Sequence, residues 1–111
     1  MAQSESNHDK LDRVARQMGS AIRRQAHRRW ETVRTAERNQ GGRHVWRFQS
    51  GPDGGDRFLH VPHEVMVHGD DPAPVLLEQL KKARWLDQLD EGSATSLLLS
   101  KSGRLEPLPE K

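Results

Sequence analysis

The 111 residues include no cysteine, which excludes disulfide frameworks, thiolate metal sites and a cysteine nucleophile. No apolar run approaches the roughly 18 residues of a membrane span. The first residues, MAQSESNHDK, lack the basic stretch followed by an apolar one that marks a secretory signal, so the expected location is cytoplasmic. Apolar side chains are scarce. They make up 32% of the chain, against about 45–50% for an average globular domain counted with glycine, so one domain with a small core is expected. The rest of the chain must be solvated surface.

Charge fills that surface. Charged residues are 31% of the chain and the net charge is +2, but the balance is uneven, with +5 over residues 1–43 and −3 over the remainder. A basic N-terminal part and an acidic C-terminal part are therefore read separately for partners. The Arg/Asp/Gly/Ala-rich composition is of bacterial type, and no internal repeat is present.

The organising stretch is residues 44–62, HVWRFQSGPDGGDRFLHVP, which reads as two strands joined by a Gly/Pro/Asp turn. Trp46 and Phe48 share one face by the two-residue strand period. A lone hairpin is marginal in water, so another element must cover that face. Residues 1–7 are expected to be disordered, with Ser6 or Asn7 as a helix cap. Residues 8–41 are expected to form one basic amphipathic helix. At about 100° per residue, Leu11, Val14, Ala15, Met18, Ala21, Ile22, Ala26, Trp30, Val33 and Ala36 fall in one half of its circumference. Gly41-Gly42 reads as its stop.

Beyond the hairpin, Asp71, Pro72 and Pro74 open a second helix. Leu76, Leu77, Leu80, Ala83 and Leu86 line one side of it up to Glu91-Gly92, with Trp85 nearly opposite. Residues 95–99 and 104–108 read as a second hairpin around Lys101-Ser102-Gly103, its first strand apolar throughout and therefore central. The fold class is α+β: a long N-terminal amphipathic helix followed by a compact ββαββ domain over residues 43–108, with an antiparallel sheet and one packed helix. Trp46 and Leu98 are expected to be buried in it, and the domain to fold without the first helix.

Three groups of residues could carry function. His60, His63 and His68, with Glu64, Asp70 and Asp71 nearby, are metal-capable and would suit a metal-dependent enzyme. Their spacing is not HEXXH, because Pro62 interrupts it; the plain alternative is an ordinary strand and loop. No serine sits in a GxSxG context, and GPDGGD has two acids and no Lys-Ser/Thr, so it opposes phosphate. No cofactor is expected. Second, RRQAHRRW places Arg23, Arg24, His27 and Arg28 over two turns and, with Arg34, offers a nucleic-acid-binding face; the plain alternative is a solvated helix surface. An anionic membrane suits the helix less, since its apolar half has one aromatic and four alanines.

The third group is the apolar stripe itself. A helix of about 45 Å outruns the surface that the remaining ~70 residues offer. The leading expectation is thus a small non-enzymatic interaction or regulatory module. It self-associates, or docks a partner protein, through Leu11, Val14, Met18, Ile22, Trp30 and Trp85. Trp85 either anchors a partner or packs on its own chain. Nucleic-acid binding through the basic helix face is the alternative reading, and the histidine-centred enzyme the third.

Overall fold

In a computed structural model that describes residues 6–30, 32–50, 56–91 and 95–108, the Ser6 hydroxyl accepts the Asp9 backbone N–H at 3.1 Å and starts helix α1, Asn7–Arg29. Asp9 lies in the first turn and His27, Arg28 and Arg29 in the last, as the helix dipole favours. The helix ends eleven or twelve residues before the expected stop, and residues 33–40 are a strand. The reason is local. Only Trp30, Val33 and Ala36 carried the helical pattern past Arg29, while Val33 and Thr35 are β-branched and fit a strand equally well. Gly41 and Gly42, at φ 58° and 76°, form a two-residue turn in which both central residues need positive φ, so they join two strands instead of ending a helix.

Strands β1 (Val33–Gln40), β2 (Arg43–Ser50) and β3 (Asp56–Pro62) follow as an antiparallel meander, and the expected 44–62 hairpin is present in it. Then come a short helix α2 (His63–Met66), helices α3 (Pro72–Ala83) and α4 (Trp85–Glu91), and a hairpin of β4 (Ser96–Leu99) and β5 (Leu105–Pro107). The sheet order is β1-β2-β3-β4-β5. The fold is α+β as expected, with β1 added to the sheet. One pair corrects the antiparallel expectation: β4 runs parallel to β3, because the three helices carry the chain across between them. The turn at residues 51–55, the stop at Gly92, residues 1–5 and Pro109 lie outside the described residues.

All the helices pack on one face of the sheet. Val14, Met18, Ile22 and Ala26 of α1, Met66 of α2, Leu76 and Leu80 of α3, and Trp85 and Leu89 of α4 share a core with Trp46, Phe48, Leu59, Val61, Leu97 and Leu99. Gly19 lets α1 come close: a Cβ there would lie 3.3 Å from the Glu37 carboxylate and 3.4 Å from Trp46 Nε1. Three expectations change as a result. Val14, Met18 and Ile22 are fully buried and Leu11 packs against the same core, so the stripe is not a free face for a second copy. Helix α1 supplies part of the core over residues 43–108, so that stretch would have to fold without those contacts to fold alone. Leu98 is only half-buried and faces away from the core; by strand alternation the buried residues are Leu97 and Leu99.

Trp85 is also resolved by a local feature. The expected single helix is broken at Arg84, which adopts a left-handed φ of 53°. The break turns Trp85 inward, where it is buried, its ring 5.4 Å from that of Phe48 and its Nε1–H donating to Gln25 Oε1 at 3.0 Å. It is a core residue rather than a partner anchor. Trp30 is held similarly, donating to Asp90 Oδ1 at 3.2 Å with the Arg57 guanidinium 5.2 Å from its ring centre. Asp71 occupies the cap position of α3 but makes no cap hydrogen bond; it lies 3.9 Å from Arg13 Nη1.

Candidate nucleic-acid interface

Strand alternation gives the sheet a second face, and no helix among the described residues packs on it. Cross-strand register builds it in rows. Arg38, Val45, His60, Leu98 and Glu106 form a line across all five strands. The next row is Ala36, Arg47, Phe58 and Ser96. Arg34 and Arg43 flank these rows at opposite ends. Val45 is only 1% exposed, although it is not part of the main core cluster.

Four arginines therefore stand on β1 and β2 beside two rings on β3. The Phe58 and His60 ring centres are 6.4 Å apart, tilted by 47°. Arg47 is tied to Asp56 at 2.9 Å, while Arg34, Arg38 and Arg43 have no carboxylate partner among the described residues. His60 makes no hydrogen bond among those residues, and its Nδ1 is sealed from solvent. Burial, then the nearby Arg43 and Arg38, hold its pKa below the ordinary value of 6.5, so the ring is neutral at pH 7.

The expected nucleic-acid set is divided by the fold. Arg23, Arg24, His27 and Arg28 are exposed on α1, and Arg23 is bound to Glu37 at 3.0 Å. Arg34 belongs to the open sheet face instead, so these five residues do not form one surface. Arg38, Arg43 and Phe58 were missed. Their signal was the alternation of residues 34–38 and 43–47, legible only once residues 33–40 are read as a strand. The expected metal set is separated too. His60 is on the open face, His63 reaches Asn39 Oδ1 at 2.9 Å on the helix side, and His68 is exposed after α2. Among the described residues no group of three or more potential ligands could hold a metal ion.

A polar cluster and a groove lie elsewhere among the described residues. Glu37 receives Arg23 at 3.0 Å and lies 2.9 Å from Nε2 of the buried His44, whose Nδ1 lies 3.0 Å from Asn39 Oδ1. This chain of contacts joins α1, the β1–β2 hairpin and His63. A groove of about 510 Å³ between α2, α3 and the β4–β5 turn is floored by Val65, Pro72, Val75 and Leu76, and the Lys101–Glu64 ion pair at 3.2 Å stands at its rim. No described helix is long and apolar enough to cross a membrane. Comparison with known proteins gave no significant match to any family model, curated protein or solved structure.

Proposed function

We propose that the chain is a small binding module for single-stranded nucleic acid and that the uncovered sheet face is its seat. The observation that carries this reading is the juxtaposition of Arg34, Arg38 and Arg43, without a carboxylate partner among the described residues, with the Phe58 and His60 rings on one surface. Each part has a role in such binding. Guanidinium groups bond phosphate oxygens bidentately and supply affinity that does not depend on sequence. Aromatic rings on a sheet stack unpaired bases, at about 1–3 kcal/mol per base. A duplex keeps its base faces hidden, so single strands suit the surface better. All the cations of this face are arginines, the residue that both chelates phosphate and stacks.

The test is fluorescence anisotropy with a labelled 12-nucleotide single strand over a range of salt. Binding is expected with a log–log salt slope of about −2, since three phosphate contacts contribute roughly −0.7 each. The same sequence as a duplex is expected to bind more weakly. Replacing Arg34, Arg38 and Arg43 by Gln abolishes binding on this reading, whereas replacing Arg16, Arg24 and Arg28 on α1 leaves most of it. An open face that ignores oligonucleotides at low salt but binds phosphatidylserine vesicles or an acidic polypeptide would overturn it.

A further inference from the structure

We infer that His60 is the base-reading residue of this face, donating a hydrogen bond from Nε2 to the O4 keto oxygen of a pyrimidine and so preferring uracil to cytosine at the position it contacts. This rests on the single-strand reading above and goes beyond it, since stacking and phosphate contacts alone do not distinguish bases.

The argument begins with the two ring nitrogens. Nδ1 is shut off from solvent and has no partner among the described residues. A proton there would bury an unpaired N–H, whereas a bare lone pair in the same place is the lesser cost. The single proton of the neutral ring therefore sits on Nε2, the nitrogen left accessible, which makes it a donor and not an acceptor.

Position then selects what it meets. His60 stands in mid-sheet between Val45 and Leu98, partly buried, where a single hydrogen bond discriminates more than it does in water. Phe58 is one step along the same strand face, its ring 6.4 Å away, so a base stacked on Phe58 brings the edge of its neighbour over His60. Uracil, like thymine, presents O4, an acceptor, where cytosine presents an amino group, a second donor. A donor set against position 4 of the ring satisfies the first and opposes the second. Both bases are pyrimidines of the same size and carry identical phosphates, so stacking and charge largely cancel in the comparison.

The experiment compares U12 and C12 binding to the full chain at pH 7.5, where both oligonucleotides are single strands. The expected result is tighter binding of U12 by roughly 3- to 10-fold, the worth of one net hydrogen bond. His60→Phe retains a ring and removes the donor; it is expected to bring the two affinities together without changing the salt slope. Phe58→Leu is expected to weaken both oligonucleotides alike and keep their ratio. Circular dichroism of each variant checks the fold. Equal wild-type affinities with the salt dependence intact would overturn the assignment to His60 while leaving the single-strand reading standing, as would a U12 preference that survives His60→Phe. Failure of both oligonucleotides to bind at any salt would overturn both readings.

Discussion

Helix α1 and the open sheet face are both rich in arginine, but the fold uses the two groups differently. On α1, Arg13 meets Asp71 at 3.9 Å, Arg23 meets Glu37 at 3.0 Å, and Arg29 meets Asp87 and Asp90 at 3.0 and 2.9 Å. These arginines fasten the helix to β1, to the start of α3 and to α4. On the open face, among the described residues, Arg47 is paired with Asp56, while Arg34, Arg38 and Arg43 have no carboxylate partner and stand around two rings. A count of cations therefore does not locate a binding surface. What distinguishes one is cations left without internal partners beside something a ligand can rest on.

The sharpest break between the regions is in stability. Met18→Glu puts a carboxylate into the fully buried side of α1 and is expected to cost about 4 kcal/mol or more, a large share of the stability of a small domain. Urea denaturation followed by circular dichroism measures it; a loss under 1 kcal/mol would mean that α1 does not close the core. Next in size is the Arg34/Arg38/Arg43→Gln variant, expected to lose oligonucleotide binding while its unfolding midpoint stays close to wild type, since such surface changes are usually within about 0.5 kcal/mol. Smaller still, Arg29→Ala releases the partly exposed ion pairs to α4 and is expected to cost about 1 kcal/mol at most, leaving affinity unchanged.

Acid is expected to move the two properties in opposite directions. Burial, followed by Arg43 and Arg38 at His60 and by His44 at His63, lowers the pKa of both histidines, so the folded chain binds fewer protons than the unfolded one in the window below the ordinary value of 6.5. Stability is then full above that value and is lost as pH falls through the depressed values. Affinity moves the other way. Protonated His60 adds a cation beside Arg38 and Arg43, which is expected to strengthen oligonucleotide binding and steepen the salt slope by roughly 0.7. Thermal melts and anisotropy between pH 7.5 and 5 measure the pair of effects, and His60→Phe is expected to remove the second.

The sequence carried the α+β class, the 44–62 hairpin, the second hairpin, the inner face of α1 and the burial of Trp46, because each rests on a period of 3.6 or 2 extended over several residues. The end of α1 was not legible, since three apolar residues over seven positions fit either period and Gly-Gly serves both as a helix stop and as a hairpin turn. The burial of Trp85 depends on a left-handed Arg84, a residue type that gives no warning of such a bend. The open face was hidden for a longer-range reason. Its residues come from five strands, and the parallel β3–β4 pairing that sets His60 against Leu98 is a property of the crossover and not of any one segment.

The most direct test of the account is a titration of the nitrogen-15-labelled chain with U12, followed residue by residue through amide chemical shifts. The account predicts that the largest changes fall on Arg34, Arg38, Arg43, Val45, Phe58 and His60, with Arg16, Arg24 and Arg28 on α1 unmoved. Changes concentrated on α1, with the strand residues silent, would contradict it.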